Sequence, residues 1–340
     1  MANVPLWLSR SQILGFRRRV GSLEERLPMG VSALRRAAWA GLQDSMPRAA
    51  LLSIHARIAG TNPATWEHRS LVQLWGPRFN NYVVAAKDRA IFSLGRLPEN
   101  AQRRARANDI ASRLQAFLGG RRLPFDQAGQ AIRGNPNMLR YAAPTGTVLM
   151  RWDGARQAVV WNVPAPDMDP RDARLELARR YLHVFGPATA SSFGGWAGIL
   201  PAEAVVAVAE LSSELTPVRT PFGDAWILTE DEKAIRSKSQ RPAPARLLPS
   251  GDTFYLLRED ARKLLVPETK HRAALWTTRV WPGALLVAGE IVGTWRRSAS
   301  AVSIEAWRRL SPAERKAVEG EAVSLPLPAL SGPIAINWSP

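Results

Sequence analysis

Cysteine is absent from the 340 residues, which excludes disulfides, iron–sulfur clusters, thiol nucleophiles and thiolate-bound zinc and fits a reducing cytoplasm. Histidine is scarce. His55, His68, His183 and His271 stand far apart, without HExxH or a comparable ligand spacing, so no metal is expected. Long apolar runs are missing as well: the most apolar stretch, residues 199–211, contains Pro201, Glu203 and Glu210, and no membrane span is expected. There is no GxxxxGK[ST] loop, "SFGGWAGI" does not have GxGxxG spacing, and neither GxSxG nor SxxK occurs. Nucleotide hydrolysis, dinucleotide redox chemistry and serine-nucleophile catalysis therefore lack their usual residues, and no organic cofactor is expected.

What is abundant is positive charge. Lys and Arg number 46 against 29 Asp and Glu, a formal net charge of +17, and this points to a polyanionic partner, nucleic acid before an anionic membrane surface. Arginines at 17, 18, 19, 35, 36, 103, 104, 106, 121, 122, 179 and 180 lie on predicted helices that could meet phosphates, giving affinity that falls steeply with salt. Basic and aromatic residues interleave at 150–161, 279–281 and 293–298, where a tryptophan beside arginine either stacks on a base or belongs to the core.

The order of elements repeats along the chain. Residues 9–20 start at a plausible Ser9 cap, a second helix is predicted over about 31–42, a third follows Pro47, and residues 70–89 read as a hairpin broken at Gly76–Pro77. The second round has an Arg-rich helix at 101–118, a helix opening behind Asp126 and a hairpin turning tightly at Asp153–Gly154. In the third, a long helix breaks at Gly186–Pro187, a short one follows Ser191 or Ser192, and a hairpin turns near Gly223–Asp224. The expected class is α+β: tandem winged-helix domains at 1–100, 101–168 and 169–232, a basic linker at 233–246, and a C-terminal β-rich domain, a partial barrel, at 247–340. The helix 311–325 follows that sheet, and the tail after Pro326 is expected to be irregular. The amino terminus carries its arginines after its apolar residues, wrong for a secretory signal, and is expected to be a first helix.

Within this frame the polar triplet Gln43, Asp44 and Ser45 interrupts a stretch that reads as helical on both sides. Asp44 or Ser45 capping the helix near Pro47, with Gln43 exposed, is one explanation; the other is that the cluster faces a cleft between the winged units.

The blocks "GLQDSMPRAALLSIHARI", "SLVQLWGPRFNNYVVAAKD", "FGPATASSFGGWAGI" and "LLPSGDTFYLL…VAGEIVGTWRR" resemble, in order and over almost the whole chain, the AlkZ/YcaQ-type bacterial DNA glycosylases. The resemblance implies tandem winged helices around a DNA cleft and hydrolysis of the bond between an alkylated base and deoxyribose. The family motif is glutamine, an apolar residue, then glutamine or aspartate; Gln43 matches the first position, Asp44 occupies the middle one and Ser45 replaces the last. Its arginine is matched by Arg78, while the histidine four residues later is Tyr82 here. The resemblance makes Gln43, Asp44 and Ser45 the candidate catalytic residues, with the first two positioning water. It makes Arg48, Arg78, Asn80, Tyr82, Arg296 and Arg297 the candidate DNA-binding residues, Arg78 and Arg296 on phosphates near the lesion. No lysine stands near the triplet for a lyase step. The expected partner is damaged duplex DNA, bound by a monomer at the cytoplasmic nucleoid; a non-catalytic lesion sensor or transcription regulator is the alternative.

Overall fold

Strand β1 (Leu6–Trp7) leads into helix α1 (Arg10–Val20), which begins where Ser9 and Gln12 cap one another reciprocally. Both belong to a computed structural model that describes residues 6–133, 135–154, 156–237, 243–258, 261–298, 301–327 and 334–339. Helix α2 (Val31–Ala37) ends five residues earlier than expected. The chain then enters strand β2 (Leu42–Gln43) before helix α3 (Ala49–Arg57). The hairpin predicted around Gly76–Pro77 forms from β3 (Leu71–Trp75) and β4 (Asn81–Ala85), and α4 (Arg89–Leu94) follows. Strand β2 adds to the free edge of β4, giving the sheet order β2-β4-β3.

Helix α5 (Ala101–Leu118) is capped by Asn100, whose side chain accepts the Arg103 amide. Ile110, Leu114 and Leu118 recur every fourth residue and are buried against Leu139, Val148, Met150 and Val160, as one helical face should be. Strand β5 (Leu123–Pro124), helix α6 (Phe125–Gly129), a 3₁₀ run at Pro136–Thr145 and strands β6 (Val148–Arg151) and β7 (Val159–Asn162) complete this unit in the order β5-β7-β6. Asp126 does not cap α6: Pro124 holds that position, and the Asp126 carboxylate accepts the next amide, Gln127. Nor is the hairpin turn a tight pair, because the strands stop at Arg151 and resume at Val159.

Asp169 caps helix α7 (Pro170–Phe185) by accepting the Arg171 and Asp172 amides. Helix α8 (Ala190–Ala197) is capped by Thr189 with Ser192, so the effective hydroxyl lies before the expected serines. Helix α9 (Pro201–Glu210), strands β8 (Leu215–Thr220) and β9 (Gly223–Leu228), and α10 (Glu232–Arg236) follow. Here β1, placed in the first unit by chain position, pairs parallel with β8 to give the order β1-β8-β9, and α1 packs on α7 and α10. The middle of the expected linker, 238–242, lies outside the described residues.

The last part is a five-stranded sheet. After β10 (Arg246–Leu248) come α11 (Ala261–Leu265), α12 (Thr269–Leu275), β11 (Gly283–Val287), β12 (Glu290–Arg297), β13 (Ala301–Ala306), α13 (Pro312–Val323) and β14 (Ala335–Trp338). The strand order is β10-β11-β12-β13-β14. Ser311 and Glu314 form the capping box of α13, whose Val318 and Ala322 pack on Leu285, Trp295 and Ile304. The tail is not wholly irregular: β14 pairs parallel with β13, Ile336 opposite Val302. The chain as a whole is α+β. Helix α3, buried along its full length, is tied to the region before α11 by Arg57, whose guanidinium donates to both oxygens of Asp252 at 2.7 and 2.8 Å.

Candidate functional site

The polar triplet occupies the end of an edge strand. Gln43 stands opposite Tyr82 in the antiparallel pairing, and the Asp44 amide continues the ladder by donating to the Asn81 carbonyl at 2.7 Å. Successive side chains in a strand point to opposite faces. Leu42 and Asp44 accordingly face the interior, while Gln43 is half-buried and Ser45 exposed.

This alternation corrects the expected role of Asp44. Its carboxylate does not open to a substrate: Oδ1 accepts the Ala50 amide at 2.9 Å and Oδ2 accepts Gln73 Nε2 at 2.7 Å. It thus supplies an acceptor to the free amides at the start of α3, which Arg48 enters in a left-handed conformation (φ 64°), and the helix dipole favours a negative group there. Pro47, expected in the first helical turn, lies just outside it. Burial pushes the Asp44 carboxyl up to about 6, against the opposing pull of the Ala50 amide, Arg48 and Gln73.

Gln43 is held from two sides. The Tyr82 hydroxyl donates toward Gln43 Oε1 at 3.5 Å, a long contact, and Gly251 covers the amide. Gly251 has φ +77°, and a Cβ there would stand 3.2 Å from Gln43 Cδ and Nε2, so both the backbone and the space require glycine. Tyr82 is fully buried, and burial raises its phenol to about 12. It cannot touch DNA in this state and acts behind Gln43 instead.

Beside this point opens a cleft of about 790 Å³. One wall is Met46, Pro47, Ala49 and Leu52; the other carries Ser250, Val280–Gly283 and Trp295–Ser298. Gly154 closes one end, and a Cβ on it would lie 2.5 Å from that of Pro47. Arg297 Nη2 donates to the Pro47 carbonyl at 2.5 Å, and the exposed Arg296 reaches the Val280 carbonyl at 3.3 Å. Gln43 flanks the wall at Gly251, next to Ser250. The cleft therefore joins apolar and aromatic surface to two guanidinium groups, a combination suited to a base with its phosphates.

The sequence profile of the DNA glycosylase AlkZ-like family matches residues 36–325. The chain belongs to the AlkZ-like DNA glycosylase family. An interstrand DNA cross-link repair glycosylase from Streptomyces sahachiroi is 25% identical over 158 residues. That alignment spans 45% of this chain and 42% of the relative. The structure of Streptomyces sahachiroi DNA glycosylase AlkZ superposes with a TM-score of 0.77 at 17% identity, covering 98% of this chain and 100% of that one, a likeness of fold.

Against this AlkZ-like framework the remaining expected contacts separate. Arg296 and Arg297 line the cleft together, whereas Arg48 stacks on Trp66 at 4.4 Å and Arg78 lies among Tyr181, Trp196 and Arg258 in a small enclosed space. Asn80 is half-buried in the hairpin turn, its carbonyl accepting the Gly76 amide. Several arginines first assigned to phosphates are internal braces. Arg17 donates to the Phe254 carbonyl and is lowered to about 10 by burial; Arg18 and Arg19 hold the Gly289 and Ala234 carbonyls; Arg180 pairs with Asp88 and Glu176. Arg103, Arg106, Arg121 and Arg122 remain exposed.

Two contributors went unrecognised in the sequence. Gln73 touches the triplet from 29 residues away and Gly251 from the far side of the chain, and no local pattern marks either. His183, Glu230 and Asp231 bring ligand-type atoms within 4.8 Å of one another, with His183 Nδ1 hydrogen-bonded to Asp231 at 2.9 Å. Among the described residues no helix is long and apolar enough to cross a membrane.

Proposed function

We propose that this chain is a monofunctional DNA glycosylase that hydrolyses the N-glycosidic bond of alkylated or crosslinked bases in duplex DNA. One observation carries this reading: the family's first motif glutamine, Gln43, is held by Tyr82 and Gly251 at the margin of an aromatic cleft bearing Arg296 and Arg297. An N7-alkylated purine leaves with its positive charge neutralised, so little general acid is needed. The enzyme has to hold a water and favour an oxocarbenium-like sugar. The Gln43 amide orients that water, the exposed Ser45 just beyond the strand assists, and Asp44 supports them from behind. Proximity supplies much of the remaining acceleration.

The three helix-and-hairpin units are winged helices in this reading, with the five-stranded sheet as a partial barrel, and together they grip DNA as a monomer in the cytoplasm near the nucleoid. Neither a metal nor an organic cofactor takes part. Liberation of N7-methylguanine from a duplex tests the proposal: turnover by the wild type, reduced at least tenfold in Gln43→Ala with duplex affinity kept, supports it. The buried state of Asp44 favours a second reading, a lesion sensor or regulator without chemistry. Tight duplex binding with no base released at any enzyme excess would establish that one.

A further inference from the structure

Gln73 lies on β3, behind the triplet, and it is 5% exposed. Its Nε2 donates to Asp44 Oδ2 at 2.7 Å, and its Oε1 accepts the Trp152 amide at 2.5 Å. Asp44 Oδ1 in turn accepts the Ala50 amide at 2.9 Å. These bonds run without a gap from the first turn of α3, through the triplet, to the segment that carries Gly154 onto Pro47. Each end of the chain of bonds lies beside the cleft, since Ala49 precedes Ala50, Gly154 follows Trp152 by two residues, and Ala49 and Gly154 line it.

We propose that Asp44 and Gln73 are positioning residues, forming a relay that fixes the Gln43–Pro47 segment and the loop after Trp152 against each other across the cleft. The proposal rests on the glycosylase reading for its catalytic consequence and on the hydrogen bonds alone for its structural one.

The pattern of donors and acceptors makes the relay demanding. The Ala50 and Trp152 amides can only donate, so position 44 must accept on Oδ1 and Gln73 must accept with Oε1. Gln73 then presents Nε2 to position 44, which must accept a second time. Only an ionised carboxylate offers two acceptors and no donor there. An asparagine would place its NH₂ against Gln73 Nε2. If Gln73 turned over to receive that group, its own NH₂ would face the Trp152 amide. One buried donor is left unmet either way, and such a group is costly. Asp44 thus has a purpose that the apolar residue of the family motif does not serve. The charged neighbours on the other elements are Arg48 at the start of α3 and Arg297 on β12, and both act on Asp44 electrostatically.

The pattern also dictates a rescue. Asp44→Asn combined with Gln73→Glu keeps an acceptor toward Ala50, reverses the central bond, and leaves a carboxylate oxygen for the Trp152 amide. Full-length wild type, D44N, Q73E and the double variant are compared by amide hydrogen exchange at Trp152 and by single-turnover release of N7-methylguanine. Each single change should speed exchange at Trp152 about tenfold or more and lower the rate of release with little change in duplex affinity. The double variant should bring both back to within a few-fold of wild type. A residue needed only for folding would show no such reciprocal recovery. Should the single variants fail to fold, the double variant decides: restored protection of Trp152 supports the relay, and unrestored protection overturns it. Exchange following the expected pattern while no form releases base would keep the relay and remove the glycosylase reading. Base release by the wild type, with Trp152 exchange indifferent to D44N, would remove the relay and keep that reading.

Discussion

The Asp44 carboxyl should leave a measurable mark on stability as pH changes. Its value in the folded chain is about 6, against an ordinary 3.8, and burial is the largest cause. The folded state therefore holds the proton more tightly than the unfolded state. A group raised in this way contributes stability that is fully present below about pH 4 and is lost as pH rises through 6. A difference of about two units corresponds to about 3 kcal/mol in all, at about 1.4 kcal/mol per unit. Between pH 7.5 and pH 5 roughly 1.4 kcal/mol of this should appear. Asp44→Asn is neutral across the range and supplies the reference. Urea denaturation of both proteins at the two pH values cancels every other titrating group, so that the wild type should gain about 1.4 kcal/mol relative to the variant on acidification. An unchanged difference, or one of opposite sign, would refute the assignment of Asp44 as a desolvated ionised carboxylate at neutral pH. In the relay, the same protonation gives position 44 a donor it cannot place, so base release should decline as pH falls through 6 while the fold grows firmer.

The other predictions concern groups around this one. Arg57→Ala strands the Asp252 carboxylate inside the protein and should cost about 3–5 kcal/mol by denaturant unfolding. Gly251→Ala strains a position at φ +77° and presses on the Gln43 amide, so base release should slow while duplex affinity stays near that of wild type. Tyr82→Phe removes a buried hydroxyl for a loss of about 1 kcal/mol; filter binding should show unchanged affinity, and a fall in affinity would restore Tyr82 as a DNA contact. Arg296→Ala should lower the slope of log affinity against log salt by about 1, whereas Arg17→Ala should destabilise the fold without altering that slope.

The parts of the site differ in how much local pattern betrayed them. Gln43 was accessible because a polar triplet breaks an apolar stretch, and Arg296 and Arg297 because they adjoin a strand tryptophan. Asp44 is not legible in this way, because between two predicted helices nothing local separates a turn that gathers all three side chains from an extended segment that parts them. Strand β2 covers Leu42–Gln43 and the Asp44 amide extends its pairing, so the period of two turns Asp44 away from Gln43. A two-residue strand is too short to show alternation, and only its pairing with Tyr82 and Val83 establishes it. Some of the arginines expected on phosphates lie inside for a related reason: one that braces a distant carbonyl, such as Arg17 on Phe254, looks in sequence like one that faces solvent.

By itself the sequence determined the cap at Ser9, the helices at 101–118 and after Ser311, the hairpin at Gly76–Pro77, the positive charge and the family. Each depends on neighbours within a few turns of chain or on the summed composition, and short-range sterics and hydrogen bonding fix such features. Tertiary structure alone decided that β1 joins the third sheet, that Tyr82 is buried behind Gln43, and that Gln73 and Trp152 complete the hydrogen bonds of Asp44. Those outcomes need a buried polar atom to find its partner across space, and a carboxylate removed from water is satisfied by whichever donors the packed fold brings to it.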